Sequence, residues 1–417
     1  MSVWTSRPAI ADVVRLVGGR SVFRVSNQGS AVVLTALWSM QTFGQFANAM
    51  AACAWLAFVT NAAEKAALTS SARVRRLIPD IARLTLRFAA LPGVGLLAVL
   101  GLCLVINPQP MATLYVAAAS WSAMAGFLMT VSGLHRLSGR PELDAVAFGA
   151  VTIVNVTVTA ATWRLGLSPT IYLLLQLAGM TVVTGLSLAA LPRIWIVGPL
   201  SRRRLTVIFG RNASLLGLSD LMDVAAISAV FLVLMLVNKT EQSGPLFLAL
   251  MVASLLVATM LYLLKLYQPA AAARLRGARG HDGRVRAYRL LGIAVGGGAA
   301  CAVLISAYGV LHVSGVVALA SSTLALCVLL AIYFGLAMAV MYGTFLLENT
   351  DSRILSSTSA AATVGALASA GFAAALVPAV GAAGGLCALV LSSAVKAAVL
   401  RVLLGRRHPE LRITSTL

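Results

Sequence analysis

Residues 20–50 read RSVFRVSNQGSAVVLTALWSMQTFGQFANAM. Arg20 and Arg24 open the stretch, and no further charge follows through Met50. A bilayer crossing takes about 20 apolar residues. Two such runs, 21–38 and 43–62, are separated only by residues 39–42. The reading is a pair of membrane-crossing helices joined by a tight turn on the side away from the two arginines. Backbone groups inside lipid must be satisfied within the segment, and these runs are too evenly apolar for the alternating strands of a barrel.

The same grammar extends along all 417 residues. Further apolar runs cover 88–106, 112–134, 143–163, 168–191, 213–237, 244–264, 290–311, 315–341, 355–377 and 380–402. The composition agrees: 60% of residues are hydrophobic and 11% charged, where a soluble domain carries about 25%. With these twelve runs marked, all but Arg164 and Lys239 of the 32 Lys and Arg fall on one side. Under the positive-inside rule that side is the cytoplasm. The bias requires an even number of crossings and places both termini inside. The expected fold is therefore an all-α polytopic membrane protein with twelve transmembrane helices in two six-helix lobes.

The corresponding layout is an N-terminal cytoplasmic or interfacial segment (1–19), an N-lobe (20–192) and a cytoplasmic connection (193–212). A C-lobe (213–403) and a cytoplasmic tail (404–417) follow. Residues 1–19 carry acid, proline and arginine and no cleavage pattern, so no removable signal peptide is expected. The outer loops at 39–42, 107–110 and 377–381 are too short to hold a domain. Several inner connections are long enough for short surface helices.

Composition also excludes. The net charge of +20 follows from topology, so nucleic acid is not implied. Each of the five cysteines stands alone in an apolar run, which reads as packing rather than metal binding. The four histidines form no cluster. No phosphate loop, nucleophile elbow or zinc motif is present, and the outer loops leave no room for the acids of a membrane transferase. We expect no enzyme, no cofactor and no metal. The Arg- and Ala-rich, Lys-poor usage points to a bacterial cytoplasmic membrane, and the Asn-X-Ser/Thr sites at Asn155, Asn212 and Asn238 carry no glycosylation reading.

A slide of 200 residues places 43–50 on 243–250, pairing Gly44 with Gly244 and Ala49 with Ala249. Two parallel halves are implied, as in many transporters. The register also lays Arg20 over Asp220. Charge within a bilayer is costly and tends to face a partner or a wet cavity. On the first helix Arg20, Arg24, Asn27 or Gln28, Ala31 and Thr35 share one face. The arginines either snorkel to headgroups or hold phosphate. On the second helix Gln41, Gln45 and Asn48 share a face, for helix packing or cavity lining. Glu64 and Lys65 read as a local surface pair, and Asp144 as an end-of-helix residue. Asp220 and Asp223, one turn apart on the seventh helix, suit a proton or cation site or an arginine partner.

Three stretches resemble the multidrug/oligosaccharidyl-lipid/polysaccharide (MOP) exporter superfamily, in its lipid-linked-glycan flippase branch. They are 42–49 (TFGQFANA), Asp220–Asp223 with the apolar run leading to Ser243-Gly244, and 376–385 (LVPAVGAAGG). The resemblance implies alternating access through a central cavity between two lobes. It implies substrate contacts at Arg20 and Arg24 and ion coupling at Asp220 or Asp223; the polar helix faces add Asn27, Gln28, Gln45 and Asn48 as candidate cavity residues. The implied partners are the lipid bilayer, an amphiphilic or lipid-linked substrate and a monovalent cation or proton. The first expectation is a flippase for a lipid-linked glycan. The alternatives are a proton- or sodium-coupled multidrug-type exporter, a major-facilitator-type transporter and a non-transporting assembly partner. The Gly-Asp-Arg signature of the major-facilitator class is missing from 64–76 (EKAALTSSARVRR).

Overall fold

A computed structural model describes residues 10–71, 77–106, 110–198, 203–275, 279–313, 322–350 and 352–413. Among them every regular element is a helix. Eleven helices are long and apolar enough to cross a membrane. The first helix, α1 (Ile10–Leu37), adds a twelfth rod with no charge after Arg24. It starts well before the apolar run, because a helix does not stop where its apolar face begins.

The chain forms two compact units, Met1–Val224 and Ala225–Leu417. Unit 1 continues with α2 (Met40–Cys53), α3 (Trp55–Ser71), α4 (Ile78–Ile106), α5 (Pro110–Leu137), α6 (Pro141–Leu165), α7 (Pro169–Ala189) and the short α8 (Arg193–Ile196). The unit boundary falls inside α9 (Arg203–Leu236). Unit 2 contains α10 (Ser243–Leu275), α11 (Gly280–Val313), α12 (Ser322–Thr350), α13 (Leu355–Val380), α14 (Ala382–Arg407) and α15 (Glu410–Ile413).

Local chemistry sets the ends. Ser39 caps α2 by accepting from the Thr42 amide at 3.2 Å, the usual use of serine before a first turn. Gly166 ends α6 at φ 62°, in the left-handed region glycine enters freely. Ser168 then caps α7, with Pro169 at its first position. The apolar run at 43–62 is not one helix but two, interrupted at Ala54. Just beyond the break the Thr60 hydroxyl donates to the carbonyls of Ala57 (2.9 Å) and Leu56 (3.4 Å), and such back-bonding bends helices.

In unit 1, α5 is the central rod, packed by α2, α3, α4, α6 and α7. Its closest seam is with α3. A Cβ at Gly126 would overlap Thr60 and the Ala57 carbonyl, and one at Gly133 would overlap Glu64. Between them Thr130 donates to the Thr60 carbonyl at 3.1 Å. Small residues at this spacing let membrane helices approach backbone to backbone. The connection after α7 is tied down by Trp195, which is buried against α4 and α5 residues, and by Arg83, which donates to the Ile194 carbonyl at 2.9 Å.

Unit 2 repeats the neighbour map. As α3, α4 and α7 pack on α5, so α10, α11 and α14 pack on α12. As α6 packs on α7, so α13 packs on α14. As α1 meets α6, so α9 meets α13, where Ser369 donates to the Ala226 carbonyl at 2.8 Å. This is the internal duplication that the 200-residue slide suggested.

Candidate functional site

The polar residues of unit 1 are organised by the seam between α1 and α6. Gly19 lets the helices touch: a Cβ there would lie 2.9 Å from the Ala145 Cα. Above it, Arg20, Phe23, Asn27, Ser30 and Leu34 follow at steps of three and four, the period of one helix face. Phe23 packs on Phe148 with ring centroids 5.6 Å apart.

At the basic end of this seam lies a buried charge cluster. Arg20, 8% exposed, donates to Asp144 Oδ1 through Nε (3.3 Å) and Nη2 (3.2 Å). Its guanidinium also lies over the Phe148 ring, 4.9 Å from the centroid. Asp144 is 1% exposed, in the first turn of α6. Its Oδ2 is 3.5 Å from Nε of Arg136, near the end of α5. Arg136 in turn pairs with Glu64 of α3, which is 2% exposed. Four helices thus contribute two arginines and two acids to one chain of contacts. Arg20 therefore does not snorkel to the surface. Glu64 takes a partner from another helix; the Lys65 side chain, with which a local pair was expected, lies outside the described residues.

About three turns further along α6 is an uncharged hub. The Asn155 amide nitrogen donates to Ser26 Oγ (3.2 Å) and Asn27 Oδ1 (3.0 Å). The Asn155 Oδ1 accepts from Tyr172 OH (3.2 Å) and Gln176 Nε2 (2.8 Å). One turn on, the Thr159 hydroxyl donates to Ser30 Oγ at 2.9 Å. These side chains come from α1, α6 and α7, and all but Ser26 and Asn27 are buried.

The remaining residues named from sequence are dispersed. Arg24 and Gln28 are half-buried on α1. On α2, Gln41 is exposed and Gln45 half-buried. Asn48 is buried and accepts from Tyr115 OH at 2.5 Å. On α9, Asp220 is half-buried and Asp223 exposed. The α1 face read from sequence is therefore split: Arg20 and Asn27 turn into the α6 seam, while Arg24 and Gln28 lie beside it. Sequence reading missed Arg136, Asn155, Thr159, Tyr172 and Gln176 as site residues. The available signal was the i,i+4 spacing of Asn155 with Thr159, in a run that also holds Thr152, Thr157 and Thr162, and of Tyr172 with Gln176, with only apolar residues between them. Among the described residues no three His, Cys, Asp or Glu side chains gather into a metal site.

No protein-family model matches the chain, and no curated protein matches its sequence. Solved structures do match in three dimensions. One is a MOP superfamily transporter from Pyrococcus furiosus, described as having a binding pocket of reversed polarity. It is 16% identical, with a TM-score of 0.58 over 96% of this chain and 95% of the other. An inward-facing multidrug resistance MATE family transporter is 18% identical, with a TM-score of 0.59 over 100% and 97%. An outward-facing multidrug resistance MATE family transporter is 15% identical, with a TM-score of 0.60 over 99% and 98%. Matches of this extent across whole chains, together with the duplicated units, identify the architecture: the chain has the fold of the MATE transporters of the MOP superfamily.

Proposed function

We propose that this chain is a transporter of a bacterial cytoplasmic membrane, with both termini in the cytoplasm, that exports an amphiphilic small molecule by alternating access between its two lobes. The substrate is neutral or cationic. The observation that carries this reading is the pairing of Arg20 with Asp144. A flippase for an anionic diphosphate head needs arginine donors free to fork onto phosphate, and buried Arg20 already donates through Nε and Nη2 to a carboxylate. The likeness to multidrug transporters, described in inward- and outward-facing conformations, supports the transport cycle. Asn27, Gln28, Gln45 and Asn48 supply uncharged hydrogen-bonding groups to the substrate path. Asp220 and Asp223 of α9 serve as the coupling site for a proton or monovalent cation.

The test is ethidium efflux from cells of an efflux-deficient bacterium expressing the chain, with Asp220→Asn plus Asp223→Asn as the coupling variant. Wild-type efflux that collapses with the ion gradient and drops at least tenfold in the double variant supports the reading. Wild-type cells that retain ethidium like the empty control reject it. The second reading is the lipid-linked-glycan flippase, favoured by Arg24, which is half-buried one turn beyond Arg20. Translocation of a polyprenyl-diphosphate-linked sugar in vesicles, lost in Arg24→Ala, selects it instead.

A further inference from the structure

We infer that Arg20, Asp144, Arg136 and Glu64 form one charge-neutral interlock that fixes α1 to α3, α5 and α6, and that Arg20 is a structural member of it rather than a substrate contact. The inference deepens the substrate class proposed above and rests on that reading only for its transport readout. Asp144 is shared by both arginines, and Arg136 is shared by both acids. The four formal charges sum to zero. Both acids are almost completely enclosed, and the arginine side chains are 10% and 11% exposed. The other charged residues of the α5–α6 turn, Arg140 and Glu142, are exposed, so solvent rather than this cluster screens them.

In such a place the sum of charges matters more than any single contact. A buried pair contributes little over an apolar equivalent, but stripping one partner leaves an uncompensated charge in low dielectric. Neutralising Asp144 strands one positive charge, and neutralising Arg20 strands one negative charge. Neutralising both leaves the opposite charges of Arg136 and Glu64 paired with each other. The same holds for Arg20 with Glu64, although no contact joins them: their loss leaves Arg136 on Asp144. An ordinary set of pairwise salt bridges gives additive losses for that distant pair, whereas a shared neutral cluster gives rescue.

The experiment is thermal unfolding of purified protein in detergent for Asp144→Asn, Arg20→Gln and Glu64→Gln, and for the doubles R20Q/D144N and R20Q/E64Q. Each single lowers Tm by about 10 °C, and each double recovers at least half of that loss. Where a single variant fails to accumulate in the membrane, recovery of its level by the second neutralisation gives the same answer. Additive losses in R20Q/E64Q, or no loss in the singles, overturn the interlock. Ethidium efflux by R20Q/D144N within about twofold of wild type agrees with a structural Arg20. A double that regains stability but not efflux places Arg20 or Asp144 on the substrate and overturns that half. The Tm readout needs no substrate, so a wild type that moves no ethidium rejects the proposed function while the interlock is still decided.

Discussion

The two units share a neighbour map and differ in what holds it. At the turn between its first two helices, unit 1 uses the indole of Trp38, which donates to the Leu167 carbonyl at 3.1 Å. Unit 2 uses Lys239, which donates to the Pro378 carbonyl at 2.7 Å, and Gln242, whose Oε1 accepts from the Ala382 amide at 2.9 Å. Midway along the crossing, unit 1 has the Asn155 hub. Unit 2 has Ser369, which lies as far into α13 as Asn155 lies into α6, and which makes one bond to a carbonyl. At the basic end, unit 1 buries four charges. In unit 2, Arg407 donates to Ser357 Oγ at 2.7 Å, Arg284 meets His408 at 3.3 Å and His408 meets Glu410 at 3.2 Å. The difference teaches that one helix order can be kept with different polar contacts. Unit 2 also buries polar and charged groups, Glu348, Asn349 and Lys396 among them, but midway along the crossing a single serine bond stands where unit 1 has the Asn155 hub.

That conclusion is most directly broken at the crossings. Asn155→Leu leaves Tyr172, Gln176 and Asn27 without their shared partner and is expected to cost about 4 kcal/mol, since each stranded buried group costs about 1–3. Ser369→Ala is expected to cost under about 1 kcal/mol, in line with single hydrogen bonds between membrane helices. Unfolding followed with a thiol-reactive dye, using the free cysteines, measures both; equal losses remove the asymmetry. Next comes the α3–α5 seam. Gly126→Val drives a side chain into the Ala57 carbonyl and is expected to cost about 3 kcal/mol, seen as faster hydrogen exchange in α3 and α5 with α11–α14 unchanged. A smaller effect belongs to the turns: Trp38→Phe keeps the ring stacking on Phe46 and Tyr172 but loses the indole donor, worth about 0.5–1 kcal/mol. Lys239→Met should match it if the two turns are equivalent devices.

The smallest effect is expected at Glu410. Its carboxyl is held below its ordinary value, first by its own backbone N–H in the opening turn of α15 and then by His408. A depressed carboxylate stabilises at neutral pH and loses that contribution as pH falls through its folded value. Limited proteolysis of the tail should therefore accelerate below about pH 4 in wild type. Glu410→Gln should be cut at a pH-independent rate, and global melting should be unchanged because the group lies exposed in the tail.

Much of the architecture was legible in residue order. Apolar run length and the sidedness of Lys and Arg are local and additive signals, so twelve rods and a duplicated plan follow from counting. The break at Ala54 was not legible: the backbone there tightens to i→i−3 bonds, Ala54 N–H to the Ala51 carbonyl at 3.3 Å and Ala57 N–H to the Ala54 carbonyl at 3.2 Å, with no glycine or proline to announce it. Nor were the partners. Helical period puts Arg20 on a polar face, but nothing near it in sequence singles out Asp144, which reads as an ordinary first-turn acid. Asn155 stood out only as a glycosylation-like triplet. Its role depends on α1 and α7 arriving on either side, which is tertiary information.

Arg20 and Asp144 are 124 residues apart in the chain, and this separation has a temporal meaning. At about 5–20 residues per second of synthesis, α1 enters the bilayer roughly 6–25 s before the aspartate that will receive its arginine has been made. Until then the long arginine side chain has the lipid headgroups rather than Asp144 within its reach. The Arg20–Asp144 contact is therefore a late event in the biogenesis of unit 1 although its arginine comes first.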